Sequence, residues 1–349
     1  MTQADTQLET ARTTSSRGVS LVVVIVMLAL GVWLWRVHGR FDWASLPGQF
    51  HTVSWLRVGL AVALIYAGYV LRAWRWSVLL APVRKTPFLH LLPAQLIGFT
   101  AVAIFGRAAD LARPYLIARR LHTAIATQVA VYSIERAFDL AAAAILFSLT
   151  LAFAPHNTPH HQTFARAGAV SLAATLLVVM VALLIRFAGE TFSRLTERTL
   201  RPLSPRFAAA MAARMLDLRA GFRTISTVGE FISALAISLA MWIGMAGAYL
   251  LSATAFRGSP QLAGFSVAAT MLLLATSMGG SLLQLPVLGW FTQIAVLAAA
   301  LHGFFAVPLE TATACAVILL VVTSLCAIPV GFIAARLEGV GLRSAAASG

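Results

Sequence analysis

Acidic residues are scarce in this chain of 349. Twelve Asp and Glu stand against 26 Lys and Arg, and charged residues of both signs make up only 11%. Beside 60% hydrophobic residues and a mean hydropathy of +0.85, that excludes an ordinary soluble domain, whose interior could not hide so much apolar surface. Cysteine is nearly absent. Cys315 and Cys326 lie in one apolar run, where eleven helical residues separate them by roughly 16 Å, so they cannot bridge each other. No nucleotide-binding loop and no metal-ligand cluster are present, so no cofactor is expected. The HxxxHH of His156, His160 and His161 has no Asp, Glu or Cys beside it to complete a zinc site, and a solvated loop is the expected reading. The net charge of +14 would suit nucleic acid, but the arginines lie in short loops beside apolar spans. That is the pattern of positive-inside topology and anionic headgroup contact, so the membrane is the expected partner and nucleic acid is not.

What is present is a succession of apolar runs long enough to cross a bilayer, which predicts an all-α polytopic membrane protein. Residues 1–18 are polar and expected to be a disordered cytoplasmic N-terminus. Residues 19–336 should form a single transmembrane domain, and 337–349 a cytoplasmic tail. A run at 19–35 ends in Trp33, Trp35 and Arg36 without an Ala-x-Ala site, which predicts a retained anchor. A second span, about 53–71, runs into Arg72, Arg75, Arg84 and Lys85, which place that end inside. The piece at 88–105 is broken by Pro93, Gly98 and Gly106 and flanked by basic clusters on both sides, so it is expected to be a re-entrant hairpin. Pro114 then suits an early position in a short interfacial helix.

Further spans are expected at about 124–153, 167–187, 231–256, 262–278, 291–305 and 311–335. This gives about eight crossings plus one or two re-entrant or broken segments. Between the halves, 53–187 and 229–336, an arginine-rich linker at 188–228 has helical apolar spacing and predicts a cytoplasmic amphipathic surface helix, with a charge-laced linker as the alternative. The expected location is a bacterial-type inner membrane, multi-pass, with both termini inside. Two Gly/Pro-interrupted segments, 88–106 and 279–303, hold comparable places in the halves. They suggest a two-fold repeat with a binding site at its interface. Gly106–Asp110 and Gly289–Gln293 share a spacing of four.

One apolar run carries Glu135, Arg136 and Asp139 in its middle. A charge at the bilayer centre costs at least about 2.5–3.5 kcal/mol, so three within five residues need a reason. Gln128, Tyr132, Glu135 and Asp139 step by four, three and four and share one helix face, which must point away from lipid. Arg136 is the expected local partner of the acids. The readings are an internal ion-pair network and direct handling of a headgroup or proton. For Arg107, Arg113, Arg119 and Arg120 topology alone is one reading; Arg113 is best placed to reach a phosphate. Gln284, Gln293 and His302 read first as interhelical hydrogen-bond groups.

GRAADLARPYLIARR followed by SIERAFDL resembles the transmembrane region of the lysylphosphatidylglycerol synthase/flippase family. The matching residues are Gly106, Asp110, Arg113, Arg119 and Arg120, then Glu135, Arg136 and Asp139. In the second half LPVLGWFTQ keeps Pro286 and Gly289, with Gln293 where the family pattern has an acid. The resemblance implies a lipid translocase region without the soluble synthase domain, since the longest polar stretch, roughly 40 residues, is too short for an enzyme fold. With Tyr132 from the shared helix face, the candidate headgroup-binding residues are Asp110, Arg113, Arg119, Arg120, Tyr132, Glu135, Arg136, Asp139 and Gln293. The implied partner is an anionic or aminoacylated phospholipid or a lipid-linked substrate, and assembly as a homodimer is left open. Two other readings stay beside it: a membrane transferase with Glu135 or Asp139 as base, and a scaffold for a separate synthase.

Overall fold

A computed structural model describes residues 41–152, 162, 166, 169–177, 180, 227–281 and 288–338. The expected N-terminal anchor, the three-histidine loop, most of the 167–187 span, the linker at 188–226 and the C-terminal tail lie outside them. The chain divides into two units at Gly48. In the first, Asp42 caps a short turn by accepting the Ala44 backbone N–H at 2.9 Å. The second, Gln49–Gly349, holds the long helices.

Among the described residues the unit is helical, with one isolated antiparallel bridge between Val53 and Phe256. The helices are α1 (Trp55–Leu80), α2 (Phe88–Phe105), α3 (Ala112–Leu121), α4 (Ile125–Ala152), α5 (Val228–Thr254), α6 (Val267–Ser281), α7 (Leu288–Phe305), α8 (Leu309–Leu320) and α9 (Ala327–Leu337). Among the described residues four stretches are long and apolar enough to cross a membrane: Trp55–Leu80, Phe88–Ala109, Val228–Thr254 and the α8–α9 rod, Leu309–Leu337. Thr227 and Glu230 form a reciprocal capping box at the start of α5.

The most extensive contact is between α1 and α5. Lipid supplies no hydrophobic drive between helices, so association rests on close packing, and small residues permit it. Ala61 and Ala73 of α1 and Ala234, Ala248 and Ala253 of α5 are fully buried. The two helices run antiparallel, since Ser54 N–H donates to the Ala255 carbonyl at 2.8 Å and Arg57 donates to the Thr254 carbonyl.

The segment expected to break at Pro93 and Gly98 does not break there. Pro93 removes one intrahelical bond, yet α2 continues to Phe105. The chain turns instead at Gly106, whose φ of 68° and ψ of −157° fall where only glycine is comfortable. The expected interfacial helix is the return arm of that turn. Arg113 of α3 lies against Gly98 of α2, and Arg84, just before α2, donates to the Leu121 carbonyl at the end of α3. So α2 and α3 form one helical hairpin whose ends meet beside Leu80.

A second helical hairpin occupies the place of the spans expected at 262–278 and 291–305. α6 and α7 pack together: a side chain at Gly280 would meet Val296 at 3.1 Å, and the rings of Phe265 and Phe305, at the far ends, are 4.9 Å apart. Its ends lie beside the Thr254 end of α5, so it enters from the side opposite to the first. The two meet inside, where Trp290 Nε1 donates to the Ala103 carbonyl at 2.7 Å. Gly106 ends an entering arm whereas Gly289 begins a returning one, so their shared spacing does not mark equivalent positions.

The last rod has a defect with a cause. Pro329 cannot bond the Leu325 carbonyl, and the helix relaxes through a π turn at Val321–Leu325, with Cys326 N–H reaching back to the Val321 carbonyl at 2.8 Å. The carbonyls of Cys326 and Ala327 accept from Tyr66 Oη at 2.6 Å and Thr100 Oγ1 at 2.9 Å. Those bonds tie the rod to α1 and α2.

Candidate functional site

Five helices converge on one buried polar cluster. Arg75 of α1 is wholly buried at its centre. Its Nη2 donates to Glu135 Oε1 at 2.6 Å, and its Nη1 to Asp139 Oδ1 and Ser238 Oγ, each at 2.6 Å. A guanidinium can do this because its donors lie in a rigid planar fork, which an ammonium lacks. Ser238 is free to accept, since its own hydroxyl donates to the Ala234 carbonyl one turn back.

Arg113, also buried, approaches Glu135 from the other side. Its Nη1 lies 3.3 Å from Glu135 Oε2 and donates to Gln95 Oε1 at 3.1 Å. Three aromatic faces enclose its guanidinium, with centroids at 4.5 Å (Phe99), 5.2 Å (Tyr132) and 5.7 Å (Trp76). Trp76 is held by its indole N–H on Gln128 Oε1 at 3.0 Å. The arginine can enter only because residue 98 is glycine. A Cβ there would sit 1.9 Å from its Cγ.

Arg136 is the outermost member. It stacks on Tyr132 at 5.1 Å and reaches Asp139 Oδ2 at 3.0 Å, but its side chain remains 39% exposed. Three arginines therefore face two carboxylates, a surplus of one positive charge. Arg75 Nε, Arg113 Nε and Gln95 Nε2 are buried donors with no hydrogen-bond partner among the described residues. Glu135 stands ten residues into α4, about 15 Å along its axis from the Leu121 side.

Of the residues singled out in the sequence, the structure brings together Arg113, Tyr132, Glu135, Arg136 and Asp139. Asp110 sits at the tip of the first hairpin, 3.8 Å from Arg107. Arg119 is exposed, and Arg120 pairs with Glu338 at the C-terminal end of α9. Gln293 is buried in α7, and no hydrogen bond joins it to the cluster among the described residues.

The expected pairing needs correction. Arg136 is the local partner of the acids by sequence spacing, but the fully buried counter-ion of both is Arg75, which sequence reading left among the topology-setting charges. Ending the second span at Leu71 hid it. α1 runs on to Leu80, and Val58, Ala61, Ile65, Tyr69, Ala73 and Trp76 step by three, four, four, four and three along its buried stripe, with Arg75 buried beside Trp76. That stripe is the signal that could have found Arg75.

A comparison with family models matches residues 19–331 to one described as "Lysylphosphatidylglycerol synthase TM region". Comparison with curated proteins gives no match, and comparison with solved structures gives none either. The match spans the long apolar helices, both hairpins and the whole buried cluster. On that extent the chain belongs to the lysylphosphatidylglycerol synthase TM region family, a multi-pass membrane domain.

Proposed function

We propose that this chain is a flippase-like lipid transporter that binds the phosphate headgroup of an anionic or aminoacylated phospholipid, or of a lipid-linked substrate, and moves it across a bacterial-type inner membrane. One observation carries the reading. A cluster with more cations than acids is kept at depth in the membrane domain, with Arg136 open on one side. A purely structural network is cheapest when neutral, because an uncompensated buried charge is costly. A surplus arginine beside three unused donors is instead suited to an anion that comes and goes.

The arrangement of helices supports transport. Each half has a long helix, a hairpin and a long helix, and the two hairpins enter from opposite sides to meet at Trp290 and Ala103. We read this as an inverted repeat, the organisation that places substrate sites near the midplane between halves. Among the described residues the crossings are then four, α1, α4, α5 and the α8–α9 rod, to which the sequence expectation adds spans at 19–35 and 167–187. Both termini remain cytoplasmic.

The test is outer-leaflet exposure of phosphatidylglycerol in proteoliposomes, with and without a proton gradient. The unmodified chain is expected to raise exposure above that of protein-free vesicles, and Arg113→Gln to remove most of the gain. Equal exposure in both kinds of vesicle under both conditions refutes the transport reading.

A further inference from the structure

A second cation lies outside this cluster. Arg72, one helical turn before Arg75, makes no hydrogen bond or ion pair among the described residues; its guanidinium carbon lies 4.9 Å from the face of Phe99, and it feels Asp139 and Glu135 only through the electrostatic field. It borders two adjoining cavities. One, of about 260 Å³, is walled by Leu64, Gly68, Tyr69 and Phe99. The other, of about 140 Å³, is walled by Trp242, Tyr249, Ser277 and Met278. Arg72, Met241, Met245 and Thr323 line both.

We propose that Arg72 holds the phosphate of an amphiphilic anion at this junction, as a station for the headgroup separate from the Arg75–Glu135 cluster. The inference rests on the lipid-handling reading above and adds to it a binding site and a ligand chemistry. Three features argue for it. The larger cavity has room for several molecules the size of water, each of which takes roughly 30 Å³ in the liquid, so Arg72 faces space and not packed side chains. Its donors are unspent, whereas Arg75 and Arg113 are held by carboxylates. The remaining walls match the rest of a lipid: methionines supply a deformable apolar surface. Across the cavity, the π turn carries Thr323 on the wall, and such turns recur at ligand sites. Thr323 and the Tyr249–Ser277 hydroxyl pair, bonded at 2.7 Å, are the polar groups on the same lining.

The experiment is native mass spectrometry of the full chain extracted from nanodiscs of phosphatidylglycerol and phosphatidylcholine, repeated with millimolar inorganic phosphate. Retained phosphatidylglycerol is expected to fall at least tenfold in Arg72→Gln, with phosphatidylcholine unchanged and partial recovery in Arg72→Lys. Met245→Trp, which fills the shared wall and leaves the charge, should displace the same lipid even if Arg72→Gln folds poorly. Insensitivity of the bound lipid to phosphate assigns the site to a lipid headgroup. Binding of phosphate alone, lost in Arg72→Gln, supports the anion site but reassigns its source to the free ion. Lipid retention unchanged in both Arg72→Gln and Met245→Trp overturns the proposal. Should the unmodified chain fail to expose lipid while Arg72-dependent retention persists, the transport reading falls and this site stands. The reverse pattern removes the site and leaves transport intact.

Discussion

Replacing Arg75 with methionine tests the cluster at its centre. The change removes three charge-assisted bonds, each 2.6 Å, and leaves Glu135 and Asp139 without their buried counter-ion. Breaking a buried pair by removing one partner costs about 3–5 kcal/mol, because the other charge is stranded. Here the low end applies. Glu135 keeps Arg113 at 3.3 Å and Asp139 keeps Arg136 at 3.0 Å, so each acid retains part of its compensation. A loss of about 3 kcal/mol lowers the melting temperature by several degrees. Arg75→Lys should recover little, since one ammonium cannot span both carboxylates and Ser238 with a planar fork. Removing the fully buried charges, with Arg75→Met, Arg113→Met, Glu135→Leu and Asp139→Leu, leaves only Arg136, whose 39% exposed side chain can turn to solvent, and should recover the fold and abolish lipid exposure. A triple change confined to Glu135, Arg136 and Asp139 would be a poorer design, because it strands Arg75 and Arg113. The assays are melting in detergent solution and outer-leaflet lipid exposure in proteoliposomes. An Arg75→Met protein that melts with the unmodified one would refute the electrostatic accounting. A folded quadruple variant that exposes lipid at the unmodified rate would refute the functional role of the cluster.

Other perturbations probe the scaffold. Gly98→Ala should push Arg113 out of its aromatic enclosure at an overpacking cost of about 1–3 kcal/mol, reducing lipid exposure more than stability; wild-type transport by this variant would show that Arg113 can work elsewhere. Gly106→Ala should destabilise by about 1–3 kcal/mol through its positive φ, read by thermal melting, and an unshifted melt would place the turn elsewhere. Reporters fused after Lys85 and after His122 should report the same side, and so should labels at Ser266 and Ala306. Opposite sides for either pair would turn a hairpin arm into a crossing. Glu338→Gln breaks the partly exposed pair with Arg120 and should change stability by under about 1 kcal/mol, which a chemical melt can check.

Composition and run length by themselves determined that this is a helical membrane chain, because apolar area on that scale has no other place to go. The Glu135–Asp139 face was equally legible: charges in an apolar run must turn inward, and helical spacing says which share a face. The motif around Gly106 and Glu135 also carried the family. What spacing could not supply was partners drawn from separate segments. Arg75 is 60 residues from Glu135 and looks like a loop-side charge until α1 is seen to continue past it. The hairpins were undecidable for a related reason. An apolar helix of 18 residues reads the same whichever neighbour it packs against, and only the tertiary structure shows that α3 returns to Arg84 and α7 to Phe265. Arg72 is the sharpest instance. Its sequence neighbours mark the end of a span, and only packing shows a cation facing a cavity.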